Sequence, residues 1–270
     1  VKGLVPGDHV AVDPNIYCGA CTPCRDGKKQ FCEHLQALGV TWDGGFAQYS
    51  AAPAAQCFKL APELPFEAGA MAEPLACCLH GIDAAGIRPG STVCVIGGGA
   101  IGLLMVQLAR LSGAAKVILS EPVELRRSAG LSVGADLAVD PLREDLSARV
   151  REAAGKSGAD VVIECVGNTA ATRSAFEAAG FGATVLLFSV PAPTATVPLP
   201  LFDVYKKELA IRGSFINPDT HLRAVELLSA GRINVEPLIT HTFGIGEMEQ
   251  AIKMQMGGES IKVMVLPNKR

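Results

Sequence analysis

An α/β fold built on a doubly wound parallel sheet, with a smaller mainly-β region before it, is the class that this 270-residue sequence predicts. Three observations carry the prediction. From about residue 74, continuous apolar strands alternate with helical segments, the pattern of a parallel sheet covered on both faces. Gly97-Gly98-Gly99-Ala100-Ile101-Gly102 stands between the first of those strands and the helix after it. Residues 1 to about 72 have another texture, short strands and turns broken by four closely spaced cysteines.

The first region opens on the turn Pro6-Gly7-Asp8, which leads into a strand at His9 to Val12; Asp43-Gly44-Gly45 is a second turn, ahead of an expected strand at Phe46 to Ser50. Between them lie Cys18, Cys21, Cys24 and Cys32, spaced C-x2-C-x2-C-x7-C. Four thiolates so close in sequence can converge on one tetrahedral ion, the closed shell of structural zinc. An iron–sulfur cluster is the competing reading, but bacterial ferredoxin runs close with a three-residue gap and a proline. Here the gap is seven and Glu33 follows Cys32, which favours zinc. The other five of the nine cysteines (Cys57, Cys77, Cys78, Cys94 and Cys165) form no regular framework and read as reduced, buried thiols of a cytosolic protein.

Leu75, Leu79 and Ile82 keep helical spacing, and this helix ends at Gly86 and Pro89-Gly90. A strand over Thr92–Ile96 follows, then the glycine turn, then a helix carrying Ile101, Leu104, Leu108 and Leu111 on one face. Further strands are expected at Lys116–Ser120, Asp160–Cys165, Thr184–Ser189 and Ile211–Phe215. The tail reads as a helix from about Pro218 to Ala230 and a last strand at Ile261–Leu266. The uncharged stretch from Ala178 to Phe202 is long enough to raise the question of a membrane span. Pro191, Pro193, Pro198 and Pro200 would break such a helix repeatedly, so a buried strand running into a proline-rich loop is expected. No n-region followed by an h-region stands at Val1 onward, so a secretory signal is not expected from these residues. A net charge of −3 gives no case for nucleic acid or an anionic membrane as partner, and it weighs against a zinc-ribbon nucleic-acid module.

The glycine turn follows a strand, opens a helix and is trailed by an acid, Glu121, at the end of the next strand. That is the context required of a dinucleotide fingerprint. Gly97 permits the tight turn, Gly99 lets backbone approach a pyrophosphate, and Gly102 lets helix and strand pack closely. Ala100 and Ile101 begin the helix whose N-terminal N–H groups face the phosphates. Glu121 can accept hydrogen bonds from ribose hydroxyls and would repel a 2′-phosphate, favouring NAD over NADP; Arg126 is a candidate contact to the ribose or a phosphate.

A four-cysteine loop ahead of such a Rossmann unit resembles the medium-chain, zinc-dependent alcohol dehydrogenases, in particular the branch of sorbitol, threonine and arabinitol dehydrogenases. The resemblance is carried by Pro6 to Val10, the four cysteines, Asp43 to Ala47, Glu73-Pro74-Leu75-Ala76 and Gly97 to Gly102. It implies a GroES-like catalytic domain over 1–74 and 216–270 and a Rossmann coenzyme domain over 75–215, with a cleft between them. It implies an NAD-linked oxidation of an alcohol or polyol, a structural zinc and, in the complete protein, a second, catalytic zinc. A cytoplasmic homodimer or homotetramer is expected. Glu73 matches a catalytic-zinc ligand position of the branch; its other reading is a helix N-terminal acid interacting with the dipole. Val166, Ser189, Val190, Ser214 and Phe215 match nicotinamide-facing positions.

The resemblance also implies that the remaining catalytic-zinc ligands, a cysteine and a His-Glu pair, lie upstream of Val1, so the GroES-like domain is expected to be N-terminally truncated. None of the five histidines matches a ligand position, and His9, His34 and His80 read as structural. A non-catalytic NAD-binding protein that keeps the structural zinc is the alternative.

Overall fold

A computed structural model describes residues 3–268, and the chain divides into two compact units. One comprises residues 78–215; the other joins the residues through Cys77 to those from Ile216 onward. Helix α3 (Ala72–Ala85) crosses the division.

The continuous unit is built on a six-stranded sheet in the order β10-β9-β8-β5-β6-β7, with every pair parallel. Its strands are β5 (Thr92–Ile96), β6 (Lys116–Ser120), β7 (Leu137–Val139), β8 (Ala159–Glu164), β9 (Ala179–Leu187) and β10 (Ala210–Gly213). The helices are α4 (Ala100–Leu111), α5 (Glu124–Ser132), α6 (Leu146–Ala154), α7 (Thr169–Ala178) and α8 (Leu201–Lys207). Strand order runs outward one way from β5 and the other way from β8. The direction reverses between them, and that reversal is where open α/β sheets bind ligands, at the carboxyl ends of the strands. β5 is buried along its whole length, as expected of a central strand covered on both faces. Ile118, Ile163 and Leu186 are fully buried in this unit, each contributing about 1.5–3 kcal/mol of burial.

Local signals agree with this packing. Asp145 caps α6 by accepting from Ala148 N, and α6 ends on left-handed Gly155; Asn168 caps α7 by accepting from Ala171 N at 2.8 Å. The parallel sheet and its flanking helices are the fold class the sequence predicted.

Among the described residues the discontinuous unit carries three short strand pairs. β1 (Val10–Val12) and β4 (Cys57–Lys59) are antiparallel, as are β2 (Asn15–Ile16) and β3 (Gln36–Ala37). β11 (Ile239–Gly244) and β12 (Lys262–Leu266) are parallel, connected through α10 (Met248–Met256). Helices α1 (Thr22–Arg25), α2 (Phe66–Gly69) and α9 (His221–Ser229) complete it.

A buried polar knot joins the two pieces of chain. Asn15 Nδ2 donates to Asn217 Oδ1 at 2.6 Å, Asn217 Nδ2 donates to Asp13 Oδ1 at 3.2 Å, and Thr220 Oγ1 donates to the Ala76 carbonyl at 2.7 Å. Each polar group that leaves water here gains a partner, which is the condition for burying it.

Two expectations need correction. Phe46–Ser50 forms no strand: Phe46 to Tyr49 are bends with no ladder partner among the described residues, and the aromatics Phe46 and Tyr49 are exposed instead of packed on a sheet. The tail helix starts at His221 and not near Pro218, because Asp219 takes a left-handed backbone (φ 57°) that a helix cannot include.

Candidate metal and cofactor sites

The cysteine loop folds back on itself through α1 and a 3-10 turn over Lys29–Phe31. The Cys18, Cys21, Cys24 and Cys32 sulfurs all lie within 4.8 Å of one another, with Cys18–Cys24 at 4.0 Å and Cys21–Cys32 at 3.9 Å. A zinc–sulfur bond of ~2.3 Å gives a tetrahedron with edges of roughly 3.8 Å. The spacing and the soft donor set therefore fit zinc. The backbone N–H groups of Ala20 and Cys21 point at Cys18 Sγ (3.4 and 3.3 Å) and hold that thiol down at about 6, while burial pushes Cys24 up to about 12. Backbone N–H donors to sulfur are the outer shell that stabilises bound thiolates. These four form the one group of three or more His, Cys, Asp or Glu ligand atoms close enough to share an ion among the described residues.

Glu73 stands in the first turn of α3 and borders an apolar cavity of about 780 Å³ whose walls include Val10, Leu60, Phe66, Met264 and Leu266. Cys77, one turn on, donates its S–H to Glu73 Oε1 at 3.3 Å. Burial raises the Glu73 pKa, and Asp13 adds to the shift while Cys77 and Lys262 oppose it.

In the other unit the glycine turn is geometrically exacting. Gly97 has φ +99°, a conformation that favours glycine, and a Cβ at Gly102 would come within 1.8 Å of the Gly97 carbonyl oxygen. A Cβ at Gly99 would meet nothing within 4 Å, so this face of the turn is open to a ligand. Gly99 caps α4 without a side-chain hydrogen bond, leaving the first turn's N–H groups to an anion. These features fit a dinucleotide pyrophosphate.

Glu121, only 3% exposed, accepts from Gly98 N at 2.6 Å through Oε2 and from Val123 N at 2.9 Å through Oε1. Each oxygen keeps a second lone pair for a ribose hydroxyl. Arg126 is half-buried on α5. The neighbouring Arg127, which sequence reasoning passed over, donates to the Glu121 and Pro122 carbonyls at 2.8 and 2.7 Å and pairs with Glu124 at 2.5 Å. It fastens the turn that carries Glu121.

Val166, Ser189 with Val190, and Ser214 with Phe215 follow the carboxyl ends of β8, β9 and β10 respectively. Val190 is 96% exposed, and Ser214 Oγ is buried without a hydrogen-bond partner among the described residues. Sequence reasoning also missed Glu164, a carboxylate buried at the end of β8. The available signal was a lone acid closing an otherwise apolar strand after Asp160.

A four-cysteine cluster in one unit fits zinc, and a glycine turn on a doubly wound sheet in the other fits a dinucleotide. A model of the alcohol dehydrogenase GroES-like domain matches residues 1–62, and one of zinc-binding dehydrogenase matches residues 100–230. The chain belongs to the zinc-binding, medium-chain alcohol dehydrogenase family. It is 32% identical over 269 residues to L-threonine 3-dehydrogenase of Pyrococcus horikoshii, covering 98% of this chain and 77% of that protein. It is likewise 32% identical to D-arabinitol dehydrogenase 1 of Uromyces fabae, over 99% of this chain and 77% of the relative. A solved structure from Sinorhizobium meliloti 1021, described as a zinc-binding dehydrogenase bound to NADP, is 40% identical with a TM-score of 0.95, over 99% of this chain and 79% of that one. No helix of the described residues is long and apolar enough to cross a membrane.

Proposed function

We propose that this dehydrogenase oxidises a polyol or another secondary alcohol with NAD as hydride acceptor. The observation that carries the choice of NAD is Glu121: a buried carboxylate, fixed by two backbone N–H groups beside the glycine turn, can accept from ribose hydroxyls and would repel a 2′-phosphate. The S. meliloti relative was solved with NADP, so the preference is a claim about this chain's own residues. A polyol substrate is supported by the likeness to the arabinitol enzyme, and a secondary alcohol more broadly by the likeness to the threonine enzyme.

In this reading the N-terminal turn of α4 receives the pyrophosphate, with Gly97, Gly99, Ala100, Ile101 and Gly102 as its backbone frame. Glu121 and Arg126 hold the adenosine ribose, and Val166, Ser189, Val190, Ser214 and Phe215 face the nicotinamide. Cys18, Cys21, Cys24 and Cys32 hold a structural zinc, which supplies stability and no open coordination position. Glu73 is the residue assigned to a catalytic zinc, whose chemistry would be Lewis-acid stabilisation of a developing alkoxide. Burial raises the pKa of the half-buried Glu73, and a cation beside it would favour its charged form. A cytoplasmic homodimer or homotetramer completes the proposal; the outermost strand β10, whose residues are mostly exposed, offers a sheet edge without a further strand among the described residues.

The test is a titration of the zinc-loaded chain with NADH and NADPH, followed by assays of nicotinamide reduction on a panel of polyols and secondary alcohols. Tighter NADH binding and turnover of a panel member are expected. Tighter NADPH binding would overturn the cofactor choice. NADH binding without any turnover would support a non-catalytic cofactor-binding protein.

A further inference from the structure

The turns after β8 and β9 are tied by a side chain to which the cofactor reading gives no role. Glu164 closes β8 and is 1% exposed. Hydrophobic burial does not place a carboxylate there, and leaving one without partners would be strongly unfavourable. Its partners are specific. Oε1 accepts from Val166 N at 2.6 Å and Gly167 N at 2.9 Å, and Oε2 accepts from Ser189 Oγ. The Glu164 carbonyl accepts in addition from Phe188 N (3.0 Å) and Ser189 N (3.1 Å). Gly167, in a left-handed conformation at φ +88°, brings the first turn against the second; a Cβ there would lie 3.4 Å from Ser189 Cβ and from the Val190 carbonyl oxygen. One carboxylate thus anchors two adjacent strand-end turns, and those turns carry three of the residues assigned to the nicotinamide.

We propose that Glu164 is a positioning residue for the nicotinamide half of the cofactor. It holds the Val166–Gly167 turn against Ser189 so that this face is formed before the cofactor arrives, and binding does not have to order it. The inference rests on the NAD(H) reading above. Hydrogen bonding, not net charge, is the operative property. Both N–H groups converge on one oxygen, so a glutamine can keep them on its carbonyl and donate its amide N–H to Ser189 Oγ. An aspartate, one methylene shorter, cannot reach both turns at once.

The experiment measures dissociation constants of the full chain and of its Glu164→Ala, Glu164→Asp and Glu164→Gln variants for NADH and for ADP-ribose, which lacks the nicotinamide. The alanine and aspartate variants should bind NADH about tenfold more weakly while ADP-ribose changes by less than about twofold, and the glutamine variant should stay within about threefold of the parent on both. Should Glu164→Ala fail to fold, the aspartate and glutamine variants decide. Parallel losses of NADH and ADP-ribose would show a general scaffold role and overturn the proposal. So would a glutamine variant as impaired as the aspartate one, which would assign the effect to charge. Both results leave the cofactor reading standing. A parent chain that binds neither ligand would overturn that reading, and this proposal with it.

Discussion

Gly98 N donates a 2.6 Å hydrogen bond to Glu121 Oε2, joining the dinucleotide turn to the end of the neighbouring strand across 23 residues. A Cβ at position 98 would stand 2.8 Å from Glu121 Cγ, so the contact is both a hydrogen bond and a close steric fit. Substituting Glu121→Gln turns one acceptor toward a backbone N–H donor and removes the negative charge. NADH binding should weaken about tenfold, and the preference for NADH over NADPH should shrink by at least that factor. Paired titrations with the two coenzymes read both numbers, and an unchanged preference counts against a ribose role for Glu121.

Gly102 supplies a sharper steric test. A Cβ at this position would stand 1.8 Å from the Gly97 carbonyl oxygen, a rigid backbone atom with nowhere to go. Gly102→Ala should lower stability by about 1–3 kcal/mol and remove coenzyme binding with it. Chemical denaturation with and without NADH checks this. An alanine variant of native stability would mean that the turn tolerates a wider approach.

For the cysteine loop, Cys24→Ser or Cys32→Ser should abolish zinc retention by the loop and expose residues 18–32 to proteolysis. A small loop without its own hydrophobic core depends on its metal for folding. Metal analysis and limited digestion, before and after chelation, give the answer. Full zinc retention by the serine variants would remove the closed four-thiolate shell.

His221 predicts a pH dependence of stability. Its ring is 1% exposed, lies 4.8 Å from the Phe58 ring, and has no hydrogen-bond partner at either nitrogen among the described residues. Burial pushes its pKa down, partly opposed by Asp13. Below the ordinary histidine pKa of about 6.5, the unfolded chain takes up a proton that the folded chain resists. Stability must therefore fall as pH drops through that range toward the folded pKa, by at most about 1.4 kcal/mol per pH unit from this residue. His221→Phe should flatten the slope between neutral and mildly acidic pH in denaturant titrations. An identical slope in the variant would place the proton uptake elsewhere.

The parallel sheet was legible because its central strands carry apolar runs, Val93–Ile96 and Val117–Leu119: β5 and β6 occupy the expected spans Thr92–Ile96 and Lys116–Ser120. The glycine turn was legible because its constraints are local to six residues. Phe46–Ser50 was misread because strand-like residues form a strand only where a neighbouring edge is present. Helix α8 went unseen behind the proline-rich loop, since its seven residues are too few to display a period. The partners of Glu164, Asp13 and Asn217 were invisible for a different reason. A buried polar residue declares itself only through contacts, and the Asp13–Asn217 bond spans 204 residues.

That last span bears on how the chain is made. On the ribosome, residues 3–77 emerge long before Asn217, with the whole of the continuous unit still to be synthesised between them. At typical elongation rates the wait is on the order of ten seconds. For that interval Asp13 and Asn15 have each other but not Asn217 to bind, and the strands around them must remain provisional. The continuous unit meanwhile has every strand it needs. Nascent chains should therefore mature from the middle outward, with the amino-terminal segment waiting on the carboxyl-terminal one.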